Sequence, residues 1–212
     1  MILLTAIILI AAFLRLYKIA DYMTYLGDEG RDAIVVRRLL VYFDPILIGP
    51  GTSIGNMYLG PLYYYLIAPS LWLAGFSPVG PSAFIALIGV LAVFLVWKIG
   101  KECFGGIAGL TAASLYAVSP TVIIFSRSSW NPNVMPFFAL LSIYSIWRVW
   151  KHKEFKWLVV LGISYAFVLQ SHYLGLLLAP VLFIFWFVSK VPIRYTLYAT
   201  VLFLFLMSPL VI

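Results

Sequence analysis

The sequence has little charge and almost no cysteine, and both shortages restrict what the protein can be. Of its 212 residues, 10% are charged and 64% are hydrophobic, whereas a soluble domain carries about 25% charged residues. The chain is therefore expected to be a membrane protein with several spans. Its single cysteine, Cys103, excludes an intrachain disulfide and a thiolate metal cluster.

The charge that remains is mostly positive. Fourteen basic and seven acidic residues give a formal net charge of +7. In membrane proteins such an excess reflects loops retained on the cytoplasmic side and contacts with anionic headgroups. Because no arginine-rich tract lies beside aromatic residues, the lipid bilayer is the expected partner and nucleic acid is not.

Apolar runs of sufficient length predict seven membrane spans. They cover about residues 1–17, 82–97, 106–125, 134–149, 157–170, 174–188 and 195–212. As one helix the uncharged run 157–188 would be about 48 Å long, longer than the roughly 30 Å hydrocarbon core, so it is divided at its polar centre. The first run lacks a basic segment and a cleavage site, which favours a retained span. The last run ends without a polar flank, so the chain is expected to be the amino-terminal part of a longer protein.

Five of the seven acidic residues fall in the predicted loop 18–81. Asp28 and Glu29 are adjacent there, and a carboxylate costs roughly 2.5–3.5 kcal/mol at the centre of a span. The pair therefore lies in water or in a polar cavity, and we interpret it as the mark of a reaction site. After it, apolar residues at helical spacing predict a helix over 29–43 that lies along the membrane surface and ends at Pro45.

Segment 61–76 leaves two membrane topologies open. If it does not cross and the N-terminus is inside, eight of the 14 basic residues are cytoplasmic. If it crosses with the N-terminus outside, thirteen are cytoplasmic, which the positive-inside rule alone prefers. Only the first topology places Asp28, segment 126–133 and His172 on one outer face; the second places Asp28 opposite Arg127 and His172.

Several short motifs, in order along the chain, resemble those of a known group of membrane enzymes. They are Arg15-Leu16-Tyr17 and residues 27–32, 60–66, 126–133 and 171–173. The sequence resembles the GT-C fold glycosyltransferases, in particular the protein O-mannosyltransferase and aminoarabinose-transferase superfamily. The resemblance corresponds to the amino-terminal half of a typical member. It implies an all-α polytopic membrane protein, a GT-C-type transmembrane helix bundle with juxtamembrane helices in the extracytoplasmic loop 18–81.

The resemblance implies an inverting transfer of a sugar from a polyprenyl-phosphate-linked donor to an acceptor on the extracytoplasmic face of the cytoplasmic or endoplasmic reticulum membrane. The acceptor is left open as a protein, a lipid or a cell-wall polymer. Asp28 would be the base that takes the acceptor proton, with Glu29 supporting it. Cations would stabilise the leaving phosphate. The candidate phosphate and sugar contacts are Arg37, Arg38, Arg127, Asn131, Asn133, His172 and Tyr173.

Two positions depart from the superfamily's pattern. Members often carry a second acidic residue in the outer loop after the third span, where this chain has Asn131 and Asn133. Some carry a lysine before the proline that opens the juxtamembrane helix, where this chain has Gly60. Both departures weaken the expectation of a bound divalent metal, which is left open. No cofactor is certain, and the polyprenyl-phosphate sugar is the donor substrate.

Simpler roles explain several of the same residues. Asp28 can be a helix N-cap, with Glu29 and Asp32 favoured in the first turn by the helix dipole. His172 can be a hydrogen-bonded turn residue, and Arg127 a headgroup anchor. Two rival functions also stay open. One is a transporter or flippase for a lipid-linked substrate, which would need ionisable residues near the midplane or inverted repeats; the other is a non-catalytic scaffold subunit.

Overall fold

The computed structural model describes residues 2–210, and their secondary structure is helical. Eleven α-helices run along the described chain: α1 Ile2–Leu16, α2 Ile19–Tyr22, α3 Gly27–Tyr42, α4 Leu62–Leu73, α5 Val79–Phe104, α6 Gly106–Val118, α7 Pro120–Phe125, α8 Met135–His152, α9 Trp157–Ser171, α10 Ala179–Val188 and α11 Ile193–Met207. Short 3-10 helices cover Asn131–Val134, Tyr173–Leu178 and Ser208–Leu210. Within residues 2–210 the β-structure is a single isolated bridge between Gly51 and Tyr58. The predicted all-α class is confirmed.

The chain divides into two compact units. The first comprises Met1–Pro45 and Tyr64–Phe137, and the second comprises Ile46–Tyr63 and Phe138–Ile212. The ends of the predicted spans 1–17 and 195–212, at Met1 and residues 211–212, lie outside the described residues.

One described helix, α5, is long and apolar enough to cross a membrane by itself. The helices α6 and α7 meet the same criterion as a pair, but they are bent by 63°, where the sequence predicted one continuous span over 106–125. Pro120 explains the bend, because proline has no backbone N–H and holds the preceding Ser119 in an extended conformation. Shorter apolar helices lie at Ile2–Leu16, Trp157–Ser171, Tyr173–Val188 and Ile193–Met207. That they cross the bilayer stays a prediction.

In the first unit, α1, α5 and α6 pack closely because small residues line their contacts. Ala11, Ala113 and Ala117 are buried beside Val93. A Cβ atom on Gly109 would lie only 2.7 Å from the carbonyl oxygen of Trp97. Small residues that let two backbones approach are the usual means of packing helices in a membrane.

In the second unit, α9 and α11 also pack closely at a small residue. A Cβ atom on Gly162 would lie 2.8 Å from the carbonyl oxygen of Ala199. The helix α9 ends at Ser171, and His172 is extended, with φ −163° and ψ 138°. The chain therefore breaks at the polar centre where the sequence divided the long apolar run.

Gly60 also belongs to the second unit, and the atoms around it leave no room for the lysine that some superfamily members carry at this position. A Cβ atom on Gly60 would lie 1.9 Å from Oε1 of Gln170, and the same oxygen accepts a hydrogen bond of 3.2 Å from the Leu62 backbone N–H. The amide of Gln170 thus occupies the space that a longer side chain at position 60 would need.

The helix α3 differs in two details from the predicted helix over 29–43. It begins earlier, at Gly27, because the Glu29 carboxylate accepts a hydrogen bond from the Leu26 backbone N–H and caps the first turn. It ends at Tyr42, followed by Phe43 in the left-handed conformation at φ 54°, so the helix stops before Pro45 is reached. The simpler alternative, in which Asp28 is the helix N-cap, is wrong, since Leu26 holds that position.

Candidate functional site

The start of α3 with the residues before it, and the end of α7 with the segment after it, line a cavity of about 420 Å³ in the first unit. Its lining residues are Thr24, Leu26, Gly27, Asp28, Glu29, Ile124, Phe125, Ser128 and Trp130. A mostly apolar wall with a few polar groups is typical of a small-molecule site. The first turn of a helix also carries partial positive charge, which suits the two carboxylates.

Asp28 is the carboxylate of this cavity that stays accessible to solvent. Its side chain is 48% exposed, and its Oδ1 accepts a hydrogen bond of 2.8 Å from Arg31 Nη1. Oδ1 is thus oriented by Arg31 while much of the group stays open to the cavity. A carboxylate held in this way can accept a proton from a hydroxyl group that reaches about 3 Å from it.

Glu29 is buried, and both of its oxygens accept hydrogen bonds. Oε2 accepts from the Leu26 backbone N–H at 3.0 Å, and Oε1 accepts from Ser128 Oγ at 2.5 Å. The second bond joins α3 to a segment 99 residues further along the chain. Glu29 therefore holds two parts of the cavity wall together, and its supporting role beside Asp28 stays a prediction.

Replacing Ser128 by alanine is expected to destabilise the fold by about 1–3 kcal/mol, because the buried Oε1 of Glu29 would lose its partner. The measurement is the free energy of unfolding in detergent. Ser114→Ala is the matched control, because Ser114 Oγ donates only to the Leu110 carbonyl of its own helix. If both variants lose the same stability, the Glu29–Ser128 bond does not hold the cavity together.

Arg127 binds the chain after α7 to the end of α1. Its Nη2 donates to the Leu14 carbonyl oxygen, and its guanidinium lies 5.4 Å from the centroid of the Tyr22 ring. Arg127 Nε is buried and has no hydrogen-bond partner among residues 2–210. These contacts give Arg127 a structural role, and its contact with a phosphate stays a prediction.

The other predicted arginines lie farther along α3. Arg37 stacks over the Phe76 ring at 5.7 Å, and Arg38 forms an exposed ion pair of 2.9 Å with Asp44. At 1.5 Å per residue they lie about 15 Å along the helix from Asp28. Among residues 2–210 the structure gives neither arginine a contact with Asp28, and their contact with a phosphate stays a prediction.

The two predicted asparagines shape the turn that follows α7. Asn131 is buried, and Asn133 Nδ2 donates to the Ser128 carbonyl oxygen at 3.0 Å. This turn presents Ser128 and Trp130 to the cavity. Sequence reasoning did not select Trp130 as a site residue, although it lines the cavity beside Asp28.

His172 and Tyr173 belong to the second unit. His172 Nδ1 accepts a hydrogen bond of 3.1 Å from the Leu174 backbone N–H and caps the 3-10 helix Tyr173–Leu178. The two rings lie 4.4 Å apart. The hydrogen bond from Leu174 matches the turn role considered for His172. The role of either residue as a substrate ligand stays a prediction.

Sequence reasoning missed Arg31, which connects Asp28 to Asp32. Asp32 is 1% exposed, and burial raises its pKa to about 6 although the neighbouring Arg31 favours the ionised form. The spacing of Asp32 from Asp28, i and i+4 with an arginine between them, was the signal available in the sequence.

Among residues 2–210, no group of three or more His, Cys, Asp or Glu side chains could hold a metal ion.

Comparison with protein families identifies the chain. Residues 59–212 match the family model described as dolichyl-phosphate-mannose-protein mannosyltransferase. The chain belongs to this family. The resemblance to GT-C glycosyltransferases is thereby confirmed, and the protein is a mannosyltransferase-like glycosyltransferase of the GT-C kind.

Members of the mannosyltransferase family are integral membrane proteins, which agrees with the composition of this chain. The matched residues include Ser128, Trp130 and His172 but begin after Asp28. A comparison with curated proteins gives no match.

Proposed function

We propose that the protein transfers a sugar from a polyprenyl-phosphate-linked donor to a hydroxyl acceptor at the Asp28 cavity, on the extracytoplasmic face. The observation that carries the proposal is the position of Asp28, a half-exposed carboxylate in a cavity that it shares with Trp130. Membership of the mannosyltransferase family supplies the class of reaction.

The proposed reaction is a single displacement at the anomeric carbon. The acceptor hydroxyl gives its proton to Asp28 as its oxygen attacks the anomeric carbon of the donor sugar. The bond from that carbon to the phosphate oxygen breaks, and polyprenyl phosphate leaves with the electron pair. Attack opposite the leaving group inverts the anomeric configuration, and one product glycoside and one lipid phosphate are formed.

The contact between Glu29 and Ser128 supports the outer-face assignment. In the first topology considered from the sequence, α3 and the segment after α7 lie on the same side of the membrane; in the second they lie on opposite sides. A hydrogen bond of 2.5 Å between the two segments supports the first. The first topology leaves eight of the 14 basic residues cytoplasmic, against thirteen in the second, so this contact and not the charge count carries the assignment.

Trp130 places an aromatic side chain in the lining of the cavity that also holds the Asp28 carboxylate. Sugar rings expose C–H groups on one face and pack on aromatic rings through that face, while their hydroxyl groups find polar partners. In the proposed complex Trp130 packs against a sugar ring, and Thr24 and Asp28 are the nearby polar groups of the lining.

The test of this proposal is a transfer assay with the purified protein in lipid nanodiscs. Dolichyl-phosphate mannose, the donor that the family description names, is the first donor to supply, and release of dolichyl phosphate is measured with and without hydroxyl acceptors. The proposal expects acceptor-dependent release. Movement of the donor across a vesicle membrane with no covalent product would identify a flippase instead.

A further inference from the structure

The Arg31 guanidinium lies between two carboxylates of α3. Nη1 donates to Asp28 Oδ1 at 2.8 Å, while Nε and Nη2 both donate to Asp32 Oδ1, at 2.9 Å and 2.8 Å. Arg31 is 39% exposed, Asp28 is 48% exposed and Asp32 is 1% exposed. The exposed carboxylate of the cavity is therefore connected through one arginine to a fully buried carboxylate.

The buried end of this connection is fixed to a second helix. Tyr64, on α4, donates its hydroxyl to the same Oδ1 of Asp32 at 3.2 Å. Oδ1 thus accepts three hydrogen bonds, whereas the buried Oδ2 has no hydrogen-bond partner among residues 2–210. A purely structural carboxylate would be expected to satisfy both oxygens, as Glu29 does one turn earlier.

We propose that Asp32 is a positioning residue for the transfer reaction, holding Arg31 so that Arg31 orients Asp28 without fully neutralising it. This inference rests on the proposed role of Asp28 as the base. Arg31 is a positioning residue as well, because its guanidinium donates to two carboxylates of its own helix and acts on the reaction through Asp28.

The charges explain why an ionised Asp32 matters. With both carboxylates ionised, one guanidinium is shared between two anions, so Asp28 retains negative charge that can attract a proton. When Asp32 is protonated, the full charge of Arg31 acts on Asp28, which then attracts the acceptor proton less strongly. The groups that act on Asp32 are Arg31 and Asp28 on its own helix and Tyr64 on α4.

The proposal predicts opposite pH dependences for activity and stability. Asp32 has its pKa raised to about 6, so kcat should fall as the pH drops through about 6. A carboxyl group whose folded pKa lies above its unfolded value stabilises the fold most at low pH, and this contribution is lost as the pH rises through about 6. Acid denaturation would instead reduce activity and stability together.

The decisive variant is Asp32→Asn, which mimics the protonated carboxyl group at nearly constant shape. With dolichyl-phosphate mannose as donor, we expect kcat at pH 7.5 to fall roughly 10- to 100-fold and the inflection near pH 6 to disappear. Asp44→Asn is the matched control. It makes the same change in an exposed ion pair with an arginine and should keep the profile of the unmodified protein.

A second variant keeps the test valid if Asp32→Asn fails to fold. Tyr64→Phe removes one hydrogen bond that favours ionised Asp32, so the inflection in kcat should move to higher pH. The unfolding midpoint of this variant is measured as a control for its folding. An unmoved inflection overturns the positioning role. The positioning role is also overturned if Asp32→Asn has an unchanged kcat while Asp28→Asn is inactive. In that case the proposed function survives. An active Asp28→Asn protein overturns both.

Discussion

Replacing Asp28 by asparagine is expected to lower kcat by roughly 10²–10⁴-fold, the usual contribution of a general base, with little change in KM for the donor. Asparagine has nearly the same size and can still accept a hydrogen bond from Arg31, but it cannot take the acceptor proton. The side chain is half exposed, and an exposed ion pair contributes at most about 1 kcal/mol. The fold should therefore survive the change, and the assay is acceptor-dependent release of dolichyl phosphate.

The control for this variant is Asp21→Asn, which removes an exposed carboxylate from α2 in the same loop. It should transfer sugar at the unmodified rate. If the Asp28→Asn protein does the same while its unfolding midpoint is unchanged, Asp28 has no part in the proton transfer.

The second prediction with a large expected effect concerns stability, and it compares substitutions at two glycines of α6. Gly109→Ala is expected to destabilise the protein by about 1–3 kcal/mol, the usual range for overpacking. Its Cβ atom would lie 2.6 Å from the Lys101 backbone nitrogen and 2.7 Å from the Trp97 carbonyl oxygen. Backbone atoms cannot move aside like a flexible side chain, so α5 and α6 would have to separate.

Gly106→Ala on the same helix is expected to have the opposite sign. Nothing lies within 4 Å of the position that its Cβ atom would occupy. Alanine is favoured over glycine by roughly 0.5–1 kcal/mol in a helix interior, and by less at the first residue of α6. Both variants are compared by thermal unfolding in one detergent. Equal changes in the two midpoints would mean that the close approach of α5 and α6 does not limit stability.

The sequence was informative where a residue conflicts with its surroundings. Asp28 and Glu29 stand out because carboxylates are costly in an apolar chain, and the break near His172 follows from the length of the apolar run. Pro120 was equally visible as a helix breaker, yet the apolar run through it predicted one straight span. The bend was therefore predictable but was missed.

The arrangement around Asp28 was not accessible in this way, because it depends on contacts between distant positions. Ser128 reaches Glu29 across 99 residues, and Tyr64 reaches Asp32 across 32. Periodicity and composition describe which face of a helix is apolar, but they do not give the partner of a buried polar atom. For the same reason Arg37 and Arg38 were chosen for their charge, although Arg31 is the arginine that contacts Asp28.

The most direct measurement of whether sugar transfer takes place at an outer cavity beside Asp28 uses a single cysteine. Leu26 lines the cavity and is 69% exposed, so Leu26→Cys is made together with Cys103→Ser and treated with a membrane-impermeant thiol reagent. We expect labelling only from the extracytoplasmic side, and slower labelling when dolichyl phosphate is bound. Labelling from the cytoplasmic side, or at a rate that the carrier lipid does not change, would contradict the assignment of the cavity as the site of transfer.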